Sequence, residues 1–465
     1  QNQGRLGAAG DYLEQALRLQ PDIVENWTAL AKIRLAEHRF DAVVSAATQA
    51  LELDANALEA RMTRAEAYRM AAQWQLASTD YQQLLQSLPD NPFVLMGMGA
   101  CLAGEGEFPR ALESLFKALQ IKPDFLEASL NIALVHACQG NSSQALPRLE
   151  QLLGSGAMSP AMQETAHICR ATLLEQQRLQ KHFPSMHPSI DLTELQTALN
   201  QAPALLLQSD SRMADRLHRL AEACQQVPWS DVVVDNPLRQ HASRNGQRAA
   251  FIEACLLSRT AGTATDIAAL WSQVAHDPAG KAVLHADKQP LIDTWQAIMD
   301  RQALKASFHS EGNGEAWLRY WHYRLFNSSA TVFPGLFKFA PNSIGLHQTT
   351  APQCLVRTVR LLLDEIHPSM PAGPGRACFL LVAIAWIHAF VDGNGRLARF
   401  VFAGELEAAG MEPILLLTQT RKAMTDCQDQ AQYRNDFRPF LTLLQRAQAS
   451  TRELQQAVAG ALNPG

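Results

Sequence analysis

The segment Ile387-His-Ala-Phe-Val-Asp-Gly-Asn-Gly-Arg-Leu-Ala-Arg-Phe400 collects residue types that act on phosphates. The apolar run Phe379 to Phe390 reads as a helix buried on every side, and it stops at Val391-Asp392-Gly393. A second helix begins near Arg396 and runs through Leu397, Phe400, Val401 and Leu406. Gly393, Asn394 and Gly395 therefore sit on a helix N-terminus, where bare amides and the positive dipole end favour an anion. Glycine lets backbone approach a phosphate closely. Arg396 and Arg399 are three apart on the first turn, so they share a face and can clamp further phosphate oxygens. Asp392 offers the kind of carboxylate oxygen that magnesium takes beside phosphate ligands. His388 has a pKa range suited to removing a proton from a hydroxyl. Singly, each feature is ordinary, since Gly-Asn-Gly after a helix is usually a cap. Together they describe transfer from a nucleotide phosphate to an alcohol.

The elements that must position this turn are helical. The chain has 465 residues, 47% hydrophobic and 18% charged, enough for two or three domains. A net charge of -5 gives no general case for nucleic acid or membrane binding. Eight scattered cysteines with no C-x-x-C pair argue against a zinc site and a disulfide framework, and fit a reducing compartment. No signal peptide is evident. The longest apolar run, Cys378 to Ile387, is too short to span a bilayer.

The first third repeats itself. Pro21, Pro89 and Pro123 fall in steps of 34, with Ala55 in the remaining slot. The same step links Ala31, Ala65, Gly99 and Ala133; Val43, Ala77, Ala111 and Ala145; and Phe40, Trp74, Phe108 and Ser142. This period, with small residues at helix crossings, resembles the tetratricopeptide (TPR) repeat. Each unit is a helix pair that cannot bury its apolar face alone, so neighbours stack into a superhelix with a concave surface for a protein or peptide partner. Residues 5 to 20 match only the second helix of a unit, and the chain begins at Gln1, so a truncated start is expected. A new composition richer in Trp, His and Phe begins at Pro228-Trp229-Ser230. Helices are expected at Leu192 to Gln208 and Ser211 to Gln226, after a break at His182 to Ser189.

His388-Ala-Phe-Val-Asp-Gly-Asn-Gly-Arg-Leu-Ala-Arg399 resembles the signature of the Fic family: His-Pro-Phe, an acid, Gly-Asn-Gly-Arg, then a second arginine. Ala389 departs from it, standing where the family has proline. The resemblance covers roughly residues 230 to 445. It implies an all-helical core that moves a nucleoside monophosphate, usually AMP, onto a Ser, Thr or Tyr hydroxyl. By motif position it makes His388 the general base and Asp392 the magnesium ligand. It makes Gly393, Asn394 and Gly395 the anion hole, and gives Arg396 and Arg399 the outer phosphates. Gly395, where some relatives carry lysine, favours nucleotidyl transfer.

Further stretches match the family. Gly335-Leu-Phe-Lys-Phe-Ala-Pro-Asn-Ser-Ile-Gly345 reads as a small hairpin and resembles the family's flap, in which Phe337, Lys338 and Phe339 would hold the target segment in register by main-chain pairing. Tyr433 lies where the family often contacts the base. Two glutamates compete for the family's inhibitory role. Ser307-Phe-His-Ser-Glu311-Gly312 fits the motif literally. Glu253, 135 residues before His388, fits the family layout better and is expected to pair with Arg399.

The expectation is thus an all-α protein with one small hairpin flap: TPR repeats over 1–155, a helical linker over 156–228, a Fic domain over 229–445 and a tail over 446–465. Its expected activity is AMP transfer from ATP with Mg2+ to a target-protein hydroxyl, with removal of AMP by the same groups as a further activity. The TPR half would bind the target, in the cytoplasm, with export into another cell left open. The alternatives are a binding scaffold with an inactive core, or transfer from another donor such as UTP.

Overall fold

The computed structural model describes residues 2–71, 73–182, 207–232, 244–274, 288–304, 308, 313–326, 334–340, 343–344, 347–411, 414–416 and 420–462. They form two compact units, Gln1–Leu173 with Ala340–Thr349, and Leu174–Phe339 with Thr350–Gly465.

The first unit runs α1 (Asn2–Leu19), α2 (Val24–Ala36), α3 (Phe40–Leu53), α4 (Leu58–Met70), α5 (Trp74–Ser87), α6 (Pro92–Gly104), α7 (Phe108–Ile121), α8 (Leu126–Cys138) and α9 (Ser142–Ser155). From α2 onward the helices alternate between 13 and 14 residues, the rhythm a 34-residue helix pair requires. The small residues picked out by the period are the crossing points. Ala31, Ala65, Ala133, Val43, Ala77, Ala111 and Ala145 are all fully buried. At Gly99 an added Cβ would stand 2.6 Å from the Leu115 side chain, so only glycine allows that approach. The turn inside each pair also repeats. His38, Gly106 and Gly140, 34 apart apart from position 72 outside the described residues, have φ of 57°, 83° and 72°. The helix C-terminus there needs a left-handed residue, which glycine supplies without Cβ strain. The helix α10 (Pro160–His182) follows α9.

The second unit contains α11 (Ser211–Gln225), α12 (Arg244–Ser258), α13 (Ala264–Val274), α14 (Gln289–Leu304), α15 (Gly314–Phe326), α16 (Leu355–Arg360), α17 (Pro374–Ile387), α18 (Asn394–Ala408), α19 (Arg421–Arg434) and α20 (Pro439–Leu462). A π-helical stretch, Leu361–Ile366, prolongs α16. Helix α17 is buried without interruption from Gly375 to Ile384, which its apolar run dictates, and it packs against α18. All thirteen residues of α15 are buried, including Glu315, Arg319, His322 and Arg324. Buried polar groups need partners, and Arg319 finds Glu315, Glu175 and the Gly335 carbonyl. No described helix is long and apolar enough to cross a membrane.

The units divide at Leu173, within α10, and α11, expected in the linker over 156–228, belongs to the second. Residues 192–206 of the expected joining helix, and the expected break beyond His182, lie outside the described residues. The expected tail is the distal half of α20, held because Val458 is buried and the Thr451 hydroxyl accepts the Leu415 amide at 2.9 Å. The expected flap strand is absent at Phe337, Lys338 and Phe339, which are buried and non-helical. A two-residue antiparallel ladder occurs further on, pairing Ser343 with Gln348 and Ile344 with His347. It falls in the first unit.

Candidate active site

Helix α17 ends on His388, which takes left-handed angles, φ 49° and ψ 57°. A non-glycine residue in that region carries strain, which the surrounding structure must impose. The half-buried imidazole leaves Nδ1 buried with no hydrogen-bond partner among the described residues. Burial pushes its pKa down to about 4, aided by the charge of Lys338 and opposed by the Ala385 carbonyl and Asp392. The ring is thus neutral at ordinary pH, the state a general base needs.

Asn394 shapes the turn. Its side-chain oxygen accepts the Phe390 amide at 2.9 Å, and its Nδ2 donates to the Phe390 carbonyl at 2.8 Å. The side chain is buried. Gly393 has φ 84°, and a Cβ there would meet Phe326 at 2.4 Å. Gly395 differs. Its conformation is helical, and among the described residues a Cβ would meet only the Arg399 guanidinium, at 3.5 Å. The fold does not require glycine at 395, so the open space beside its backbone is available to a ligand.

Asp392 is exposed, and its carboxylate accepts the Gly393 amide at 2.6 Å. Arg396 lies over the Phe326 ring, 4.5 Å from its centroid, and burial lowers its pKa. No cluster of three or more His, Cys, Asp or Glu among the described residues could hold a metal by itself. One exposed carboxylate beside a helix N-terminus with two arginines still fits magnesium, which keeps most of its shell from waters and phosphates.

Lys338 is a neighbour of His388. It is 2% exposed, its amide donates to the Ala389 carbonyl at 2.9 Å, and burial pushes its ammonium down to about 7. Phe337 packs on Phe390 with ring centroids 5.4 Å apart, which explains why this stretch faces inward. Tyr433 is 46% exposed, with its ring 6.1 Å from that of Trp386, two residues before His388; the Trp386 ring also carries the Arg216 guanidinium.

Glu253, expected to pair with Arg399, meets another arginine. Both Glu253 oxygens bind Arg301, and a 20 Å³ cavity lined by Glu253, Arg399, Phe402 and Leu415 lies beside them. Burial raises the Glu253 carboxyl, and the Arg301 charge opposes this. Glu311 lies outside the described residues.

Sequence reasoning missed His322. Its buried ring bonds Asp392 and Gly335 and stacks on Phe390 at 3.8 Å. Burial pushes its pKa down to about 3. The available signal was the placing of Glu315, Arg319 and His322, four and three apart, in an otherwise aromatic helix.

A helical domain whose central helix ends on a histidine beside an acid and a glycine-rich helix N-terminus defines a Fic-type core. Residues 313–406 match the Fic/DOC family model, so the chain carries a Fic domain. The first unit is a run of helix pairs with a TPR-like 34-residue period. "Protein adenylyltransferase Fic" of Nematostella vectensis is 35% identical over 133 residues, 28% of this chain. The match spans 31% of that relative's length. Among solved structures, "Fic-1 (aa134 - 508) from C. elegans" is 15% identical, covering 86% of this chain and 98% of that one, with a TM-score of 0.36. MamA of Desulfovibrio magneticus RS-1 is 14% identical, covering 34% of this chain and 90% of that one, with a TM-score of 0.32.

Proposed function

We propose that this protein transfers AMP from ATP to a Ser, Thr or Tyr hydroxyl of a target protein, using Mg2+. The reading is carried by one observation: the turn from His388 to Arg399 keeps an exposed acid and an uncovered Gly395 backbone beside a neutral imidazole. The name of the Nematostella relative supports the choice of reaction.

In the proposed step, His388 takes the proton as the target oxygen bonds the α-phosphorus, and the bond to pyrophosphate breaks. The Gly395 amide region and the Arg399 guanidinium would receive phosphate oxygens, and Asp392 would hold the metal. Bound magnesium would supply neutralisation of the charge that develops on the leaving group. Fixed donors aimed at developing charge are usually the larger catalytic contribution. The TPR half would bring the target, since stacked helix pairs present a concave surface.

Incubation with α-labelled ATP and magnesium tests this. Wild type should label itself or a captured target, and His388→Ala should not. Equal labelling of the two would remove His388 as the base, and none by either across ATP and UTP would leave the binding-scaffold reading.

A further inference from the structure

We propose that His322 is the positioning residue of the Asp392 turn: it bolts the Asp392 carbonyl to the Gly335 amide and so fixes how the turn faces. This rests on the reading above insofar as Asp392 is taken as the magnesium ligand.

The hydrogen bonds leave one arrangement of the ring. The Gly335 amide lies 3.0 Å from Nδ1 and can only donate, so Nδ1 accepts. The Asp392 carbonyl lies 2.9 Å from Nε2 and can only accept, so Nε2 carries the proton. Both nitrogens are spent on backbone, 13 residues away on one side and 70 on the other. The ring is fully buried, lies parallel to Phe390 at 3° and 3.8 Å, and has Phe326 at 4.8 Å.

These bonds complete a frame around His388. Lys338 donates its amide to the Ala389 carbonyl at 2.9 Å, tying the 335–338 segment to the loop at one end. His322 ties the same two segments at the other, from Gly335 to Asp392. One helical turn earlier, Arg319 donates to the Gly335 carbonyl at 2.8 Å, so α15 grips both backbone groups of Gly335. Gly393 then rests directly on the ring, since a Cβ there would stand 3.1 Å from Nε2. With its carbonyl held inward, Asp392 presents its carboxylate outward. Groups that orient a metal ligand typically change metal affinity by about 10- to 100-fold when removed.

Two substitutions separate positioning from mere packing. In His322→Gln the amide nitrogen can stand near the place of Nε2 and keep the bond to Asp392. In His322→Asn the amide oxygen stands near the place of Nδ1, serving Gly335 and abandoning Asp392. The metal probe is Mn2+ with a non-hydrolysable ATP analogue, followed by water-proton relaxation. The second readout, taken without metal or nucleotide, is hydrogen exchange over residues 390–396, with melting temperature measured alongside. Asn should weaken Mn2+ binding by about 10-fold or more and speed exchange in that loop, while Gln stays within about 3-fold of wild type on both. Metal binding and loop exchange like wild type in both variants, or losses in both that simply follow melting temperature, would overturn the proposal. If wild type binds no Mn2+, the magnesium reading of Asp392 fails, and loop exchange alone decides: faster in Asn only sustains the positioning role, and equal rates in the two variants end it.

Discussion

Glu253 lays its two carboxylate oxygens on Arg301 at 2.9 Å and 2.8 Å, and Arg301 extends the network to Glu407 and to the Phe400 carbonyl. Three helices, α12, α14 and α18, meet on this one guanidinium. Removing one partner of a buried ion pair costs about 3–5 kcal/mol, because a charge is left uncompensated. Glu407 retains part of the compensation, so Glu253→Gly should fall at the lower end. The measurement is thermal melting beside self-labelling: the variant should melt several degrees lower with no gain in labelling per folded molecule. Increased labelling at unchanged stability would restore Glu253 as an inhibitory residue.

The acid limb of activity should report the burial of His388. A base must be neutral, and this imidazole is pushed down to about 4 by burial first and by Lys338 second. Labelling should therefore persist below pH 6.5 and fall only as pH drops through about 4. Lys338→Met removes the second cause, so the limb should move upward. The unfolded chain takes up this proton first, so the same group lowers folded stability as pH falls from 6.5 towards 4. A limb near 6.5 in wild type would contradict the geometry around the ring.

Asn394 and Gly395 are neighbours with opposite expected behaviour. Asn394→Ala breaks two bonds to Phe390 and strands buried backbone groups, at about 1–3 kcal/mol each before relaxation. Gly395→Ala places a methyl in open space in a helix, which should stabilise by about 0.5–1 kcal/mol. If phosphate oxygens approach that backbone, the second variant should gain in denaturant titration yet lose ATP labelling. Unchanged labelling would remove the ligand from Gly395.

In the first unit, His38 holds φ 57° where Gly106 and Gly140 stand two and three repeats on. A side chain in the left-handed region costs about 1–2 kcal/mol. His38→Gly should recover on the order of 1 kcal/mol, and Gly106→Ala should lose a similar amount, read as shifts in urea midpoint.

The repeat half was legible because its information is local. The positions 34 apart that carry Ala, Gly and Val are the ones the helix crossings bury. The helix–turn–helix around Asp392 was legible for the same reason, since an apolar run followed by Gly-Asn-Gly ends one helix and starts another. The burial of Phe337, Lys338 and Phe339 was not legible, because alternation tells which residues share a face, and not which face is covered. Phe390 and Arg319, distant in sequence, cover this one.

The sequence by itself therefore determined the helix pairs, the buried α17 and the placing of His388, Asp392 and Gly393 on one turn, because helix geometry depends on residues three, four and seven apart. Tertiary structure alone decided that Glu253 meets Arg301 and that His322 joins Gly335 to Asp392. Burial obliges a polar side chain to find a partner, but which partner it finds depends on which distant elements pack against it.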